Sequence, residues 1–407
     1  MKVLEVVHGF PPDCRGGTES YVERLSEGLA ARGVDVVVVS GALESRSPPQ
    51  TSESRWNALR VIRIHRPDAY YETWERSFSE PAGRLFTELL GRERPDLVHV
   101  HHWLRLSRDL VARAAAAGVP AVLTLHDFSS TCLICHRVKA DDSFCTLPLA
   151  VENCHPCVGT PSGMSPEAAV AEIERVREDL LRELALARAR IALSAAQASI
   201  LARVTSRPLS DFQVLPLGPV KRLRRAPHRP RAPGDPLRVV SFGHLFHLKG
   251  QHLLLEAVRR AHARAAIRVT FFGLVVYPEY EKRLRALAEG LAVEFRGPYE
   301  VADLERFDAD LAVFPTLAAE TYGFVLDEAL QLGFPAAVPD LGAMRERIGE
   351  GGFVLPRGDV GAIARLLDEV FEDPGRLETV RARVRAPATD FDRHVEAVDD
   401  VYRGVSR

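Results

Sequence analysis

The sequence lacks any run of 18 apolar residues, so no segment is long enough to cross a bilayer as a helix. It also lacks net charge. Against 55 acidic residues stand 53 basic ones, a balance of −2, which excludes the overall positive field of a nucleic-acid-binding protein. Lysine is scarce, with five residues against 48 arginines, so a lysine in a loop is a position to note. Cysteine is scarce too, and five of the six lie between Cys132 and Cys157. That distribution excludes a disulfide framework spread over secreted domains and points to metal in a reducing compartment. The start of the chain, Met1 to Phe10, has no basic n-region, long apolar h-region or cleavage site. The expected location is therefore the cytoplasm, with peripheral contact at the inner membrane face left open. What remains is an ordinary globular composition, 46% hydrophobic and 27% charged over 407 residues. That length suits two domains of about 200 residues each better than one core.

Hydrophobic patterning alternates between two periods along the chain. Lys2–Val7 is a short buried run, followed by a Pro/Gly loop and a helix with Val22, Leu25 and Leu29 on one face. Gly33 stands where a left-handed C-cap belongs, and Val34–Val39 is a β-branched run too apolar to face water on either side. The alternation recurs through Leu97–Val100, Pro120–Leu125 and Arg190–Leu193. After a basic, proline-rich stretch around 216–236 it resumes with Leu237–Phe242, Arg268–Phe272, Leu311–Phe314 and Ala336–Val338. Strands alternating with helices predict two doubly wound α/β domains, residues 1–215 and 216–390, with a helix at 391–407 returning to the first. Ligands in such domains sit at the carboxyl ends of strands, here expected in a cleft between the halves. The segment from Ser45 to Trp74 gives no clear reading. Tyr70, Tyr71 and Trp74 within it suit stacking on a sugar or lipid, but packing against the core is the favoured reading.

Three loops carry residues suited to phosphate chemistry. Gly16-Gly17, between a strand and a helix, lets backbone approach an anion, although a plain tight turn explains the pair as well. Gly243-His244 to Lys249-Gly250 follows the first strand of the second half, and the Lys249 ammonium just before a helix suits a phosphate; the alternative is a solvated lysine. Glu320-Thr321-Tyr322-Gly323-Phe324 leads from a buried strand into a helix expected to begin near Thr321, whose first N–H groups suit a diphosphate. Glu328 lies eight residues beyond Glu320, about 12 Å along the axis if all is helical. Two carboxylates flanking an anion cradle suit the hydroxyls at either end of a nucleotide sugar. Asp308-x-Asp310 directly precedes a buried strand and reads as a strand-entry pair rather than a magnesium motif.

These motifs, in this order, resemble the retaining glycosyltransferases of family 4, of GT-B fold. The resemblance runs nearly end to end and includes Asp96–His101, His126-Asp127, the Glu320-x7-Glu328 element and Asp340-Leu341-Gly342. It implies that Gly16 and Gly17 approach donor phosphate, that His126 lines the catalytic centre near the sugar, and that Gly243, His244 and Lys249 neutralise the diphosphate. It further implies that Glu320 binds sugar hydroxyls, that amides from Thr321, Tyr322, Gly323 and Phe324 meet the phosphates, and that Glu328 holds the ribose. His244 departs from the family, which has arginine there. The reaction implied is transfer of a sugar from a nucleotide-diphosphate donor to an acceptor hydroxyl on a glycan, glycolipid or small molecule, without a catalytic divalent metal or nucleic acid. A nucleotide-sugar epimerase of the same fold and a noncatalytic metal-dependent interaction protein are the alternatives.

Cys132-x2-Cys135 and Cys154-x2-Cys157 have the spacing of a zinc site. Some members of the family carry four cysteines just after His-Asp, which implies the ligand set Cys132, Cys145, Cys154 and Cys157, with Cys135 as the alternative ligand. Four thiolates suit structural zinc or an iron–sulfur cluster, and spacing does not decide between them. Few large apolar side chains lie in the 132–157 loop, so metal is expected to supply its order.

Overall fold

The computed structural model describes residues 1–68 and 73–406, which leaves Tyr70 and Tyr71 outside the described residues. The chain forms two compact units. The first contains Met1–Ala140, Cys145–Val220 and the segment from Phe391 onward; the second contains Asp141–Phe144 and Lys221–Asp390.

The first unit is built on an eight-stranded sheet. Its strands are β1 (Lys2–Val7), β2 (Asp35–Gly41), β3 (Gln50–Trp56), β4 (Leu59–His65), β5 (Leu97–Val100), β6 (Ala121–Leu125), β7 (Ala189–Ala192) and β8 (Gln213–Val214). They lie in the order β3-β4-β2-β1-β5-β6-β7-β8, parallel except for the β3–β4 hairpin at the edge. Central strands are buried on both faces, which is why they read as unbroken apolar runs. One polar residue interrupts β1. Register sets Glu5 beside His99 of β5. The C-terminal helix Phe391–Val405 packs on the helix Gly17–Ala31, where Gly28 leaves room for Val395; a Cβ at Gly28 would lie 2.8 Å from that side chain.

The second unit has six parallel strands: β9 (Leu237–Phe242), β10 (Ile267–Phe272), β11 (Ala292–Phe295), β12 (Leu311–Val313), β13 (Ala336–Pro339) and β14 (Gly352–Leu355). Their order, β11-β10-β9-β12-β13-β14, is that of a Rossmann sheet and reverses between β9 and β12. Phe242, Phe314, Leu326 and Phe334 belong to the core on that side of the sheet. The basic stretch at 221–236 is tied into this unit. Ala226 donates to Leu332 O at 3.1 Å, and Arg231, 7% exposed, donates to Asp235 O at 3.0 Å and to Val370 O at 2.5 Å. Main-chain carbonyls thus tie this strap to the unit, and its prolines deny it a helix without denying it order.

Asp308 and Asp310 hold the entry to β12. Asp310 accepts from the Arg238 backbone N–H at 2.8 Å and from its guanidinium at 2.7 Å, and Asp308 accepts from the same guanidinium. Both carboxylates are thereby bound to β9, as their position before a buried strand predicts. Among the described residues no helix is long and apolar enough to cross a membrane.

Candidate functional site

In the second unit the strand order reverses between β9 and β12, so the loops leaving these two strands flank a crevice at their carboxyl ends. Two glycines let the loops close on each other. Gly250, at φ 72°, packs so tightly on Pro315 that a Cβ would lie 2.0 Å from its carbonyl oxygen. Leu248 O accepts from Leu317 N at 2.8 Å and from Thr316 Oγ1 at 3.0 Å. Gly342, at φ 71°, lies against the backbone of Glu320, where a Cβ would be 2.7 Å from its oxygen, and Ala343 N donates to that oxygen at 2.8 Å. These contacts bring Lys249 Nζ to 2.6 Å from Glu320 Oε1, with Thr316 Oγ1 3.3 Å from the same oxygen.

The neighbouring helix is Phe324–Leu332, so it begins later than Thr321. Gly323 takes a left-handed conformation at φ 82° as its N-cap, and the three residues Thr321 to Gly323 are loop. The helix start adjoins the β9 loop, since a Cβ at Gly243 would lie 3.0 Å from Val325. Arg347 fixes the approach. Its guanidinium lies 3.5 Å from the Tyr322 ring centroid, donates to Tyr322 O at 2.6 Å, and pairs with buried Asp327. Burial pushes the Asp327 carboxyl up while Arg347 pulls it back. Glu328 is also buried, beside Tyr299, which donates to it at 3.2 Å, and Lys221, also at 3.2 Å. His244 is exposed, and its carbonyl accepts from Gln251 Nε2 at 3.1 Å. The structure therefore gathers Gly243, Lys249, Glu320 and the Phe324 helix start. Glu328 sits one helical turn farther in.

In the first unit the strand order reverses between β1 and β5. Gly16 is extended and precedes the helix Gly17–Ala31. Behind it lies Glu19, which accepts from Cys14 Sγ at 3.1 Å and pairs with His8 Nε2 at 3.0 Å. Burial opposes the Glu19 charge, but the hydrogen bonds from His8 and Cys14 outweigh it and hold the carboxyl at about 2. Asp127, after β6, is likewise held at about 2, because bonds from His102 Nε2 at 3.0 Å and Ser129 N at 2.8 Å overcome burial. Its neighbour His126 meets Tyr21 edge-on at 4.7 Å and His101 Nδ1 at 3.1 Å. Burial and the surrounding histidines push His126 well below the usual imidazole range.

Behind His126 lies a polar network that motif reading does not reveal. Tyr402 donates to Glu5 Oε1 at 2.7 Å, and His101 Nε2 lies 2.7 Å from Glu5 Oε2. His99 bridges Tyr402 OH at 2.5 Å and Thr124 Oγ1 at 2.7 Å. Burial raises the Glu5 carboxyl, but His99 and His101 more than offset it and hold it at about 2. One signal existed in the sequence: a lone acid in the apolar run of β1.

The cysteine loop has sources of order besides any metal. Arg137, 1% exposed, donates to Thr131 O at 2.7 Å, to Cys145 O at 2.9 Å and to Leu147 O. Leu133 and Leu149 join Trp74, Ile173 and Leu180 in a satellite core. Arg137 and this satellite core thus supply order that the small number of apolar side chains in the loop does not suggest. Burial raises the Cys132 thiol to about 11, with Cys154 adding to the shift, and Cys154 is itself raised by burial and then by Cys145 and Cys157. The four thiols of Cys132, Cys145, Cys154 and Cys157 are therefore neighbours. Yet no three of these sulfurs lie within 4.8 Å of one another, and Cys135 joins no such set either.

Two Rossmann-like units, each with polar residues gathered where its strand order reverses, have the architecture of a GT-B glycosyltransferase. Residues 16–218 match the model of a glycosyl transferase 4-like domain, and residues 236–373 match that of the glycosyl transferases group 1. The chain belongs to the GT-B glycosyltransferases of family 4, and it is a sugar-transferring enzyme. It is 26% identical to the glycogen synthase of Mycobacterium tuberculosis over 96% of this chain and 91% of that one. It is also 26% identical to the 2-deoxystreptamine N-acetyl-D-glucosaminyltransferase of Streptomyces fradiae, over 94% and 92% of the two chains. Among solved structures, the sucrose-phosphate synthase of Thermosynechococcus elongatus superposes with a TM-score of 0.70 at 18% identity over 99% of both chains. Anabaena HepE in complex with UDP-glucose superposes with a TM-score of 0.65 at 16% identity, over 99% of this chain and 100% of that one.

Proposed function

We propose that the enzyme is a retaining transferase that takes a hexose from a nucleoside-diphosphate donor held on its second unit and passes it to an acceptor hydroxyl. The observation that carries this reading is the meeting of Lys249 and Glu320, at 2.6 Å, beside the start of the Phe324 helix. A diphosphate entering that crevice takes over the Lys249 ammonium and meets the positive end of the helix dipole. Glu320 is then released to accept from hydroxyls of the transferred sugar. Glu328, deeper along the helix, accepts from the ribose. In the first unit Gly16 and Gly17 present backbone to the donor phosphate, and His126 contacts the sugar.

The chemistry that follows is electrostatic. Lys249, His244 and the helix amides stabilise charge growing on the departing diphosphate, and no protein nucleophile is required. His244 is the weakest of these, since an imidazole stands where the family has a guanidinium. UDP-glucose and ADP-glucose are the first donors to try, because related folds were solved with UDP-glucose and with ADP. The acceptor is a hydroxyl on a glycan, glycolipid or small molecule.

The test is a panel of nucleotide sugars assayed for donor turnover with and without acceptors, with the product anomer read by proton NMR. Retention of the α configuration supports the reading; an inverted product or the absence of any donor turnover refutes it. A metal at the cysteine loop is a separate reading, resting on the proximity of four thiols. Elemental analysis of protein purified without oxygen decides it: about one zinc per chain, or iron at cluster stoichiometry, supports it, and metal far below one per chain removes it.

A further inference from the structure

Glu5, His99 and His101 form a buried two-histidine, one-carboxylate group whose ligand atoms lie within 4.8 Å of one another. A metal is the obvious occupant, yet the hydrogen bonds of the three side chains leave it no open face. Glu5 Oε1 accepts from Tyr402 and Oε2 faces His101 Nε2; His99 is spanned by Tyr402 and Thr124; His101 Nδ1 faces His126. All three side chains are fully buried. The arrangement is a completed hydrogen-bond network, and its directions can be worked out.

An ionised carboxylate only accepts, so His101 Nε2, at 2.7 Å from Glu5, must be the donor. Burial and then the neighbouring His99 keep His101 at about 4, so it is neutral at pH 7 and its other nitrogen must accept. The nitrogen facing His101 Nδ1, at 3.1 Å, is His126 Nε2, which must therefore carry a proton. His126 is neutral as well, so Nδ1 is its acceptor nitrogen.

We infer that Glu5 is a positioning residue: through His101 it locks His126 in the Nε2–H tautomer and so presents Nδ1 as a hydrogen-bond acceptor for a hydroxyl of the transferred sugar. The last clause rests on the placement of His126 beside the sugar; the tautomer assignment does not. The other carboxylate oxygen accepts from Tyr402, on the C-terminal helix, which holds Glu5 in place without taking part in the Glu5–His101–His126 arm. Tautomer control by a carboxylate one residue removed is worth orders of magnitude in hydrolytic triads, where the wrong tautomer leaves geometry intact and chemistry slow.

The test uses the full chain labelled with nitrogen-15 in histidine, with His101 and His126 assigned by single substitutions. Wild type at pH 7.5 should show Nε2–H and unprotonated Nδ1 on both rings. Glu5→Gln, nearly isosteric, replaces the obligatory acceptor with an amide that can donate, so His126 should shift partly to Nδ1–H. Turnover should fall about tenfold to a hundredfold, while affinity for a nucleoside diphosphate stays unchanged. Tyr402→Phe leaves the Glu5–His101–His126 arm in place and should keep the His126 tautomer. An Nδ1–H signal on either wild-type ring overturns the inference, and so does a Glu5→Gln spectrum identical to wild type; the wild-type spectrum decides even if the variant fails to fold. Tautomers that behave as described with undiminished turnover support the relay and instead overturn the placement of His126 beside the sugar.

Discussion

Replacing Glu320 with glutamine separates the two jobs that the crevice gives this side chain. Here it accepts from Lys249 at 2.6 Å, with Thr316 Oγ1 3.3 Å away; with donor present it is to accept from the sugar instead. Glutamine preserves shape, so no cavity opens, and the Gly342 and Ala343 backbone contacts are untouched. The lost ion pair is partly exposed, with 32% of the Lys249 side chain and 15% of the Glu320 side chain accessible, so its loss should cost no more than about 1 kcal/mol of stability. A charge-assisted hydrogen bond to a sugar hydroxyl is worth about 1.5–3 kcal/mol, which corresponds to a fall in turnover of about tenfold to a hundredfold. Diphosphate binding should not weaken. Without its carboxylate partner Lys249 is more available to phosphate, so the dissociation constant of UDP or ADP should hold steady or decrease. Steady-state kinetics, a thermal melt and calorimetric titration with the diphosphate read the three quantities on one preparation. Turnover within about twofold of wild type in a normally melting variant removes Glu320 from the sugar site. Weakened diphosphate binding would place Glu320 on the phosphate instead.

Lys249→Met should raise the dissociation constant of the nucleoside diphosphate about tenfold or more while leaving binding of the bare nucleoside alone; equal loss for both ligands would refute a phosphate role. Arg347→Ala strips buried Asp327 of its cation and should destabilise the second unit by about 3–5 kcal/mol in chemical denaturation, whereas a loss below about 1 kcal/mol would show that the pair is not structural. His101 and His394 are both held at about 4, below the imidazole value of about 6.5 expected when unfolded. Between those values the unfolded chain binds more protons than the folded one, so stability falls as pH drops from about 6.5 toward 4. A melting temperature that stays flat from pH 7 to pH 5 would contradict the burial of these rings.

The doubly wound class of the second unit was legible because its central strands are largely buried and alternate with helices of ordinary length. The Gly250–Pro315 and Gly342–Glu320 contacts explain why glycines stand at those loop positions, yet neither partner is deducible from spacing. The edge hairpin β3–β4 was unreadable for a physical reason. β3 has the sequence QTSESRW and is largely exposed, so it lacks the apolar alternation that marks a strand, and its order comes from pairing with β4. Similarly, the 221–236 strap contains no periodic apolar face, because carbonyl acceptors of its own unit hold it instead. In the cysteine loop, Leu133 and Leu149 looked too few to order it; the missing ballast is Arg137, whose bonds are made with main-chain oxygens that no side-chain pattern displays.

The candidate site shows the same division more sharply. Glu320, Lys249 and the helix start are near one another because short loops leave adjacent strands, and motif order reports that proximity well. The Glu5 network depends on three chain-distant elements, β1, β5 and the C-terminal helix, converging on one carboxylate. Its members still leave local traces: an acid inside an apolar strand, and histidines at positions 99 and 101 that alternate onto one face of β5. A buried charge in a strand is costly unless its partners are supplied, so its presence at position 5 requires donors somewhere in the fold. What the sequence does not contain is the address of those donors. Tyr402 lies 397 residues away, and only the packing of the last helix against the first, over Gly28, brings its hydroxyl to the carboxylate.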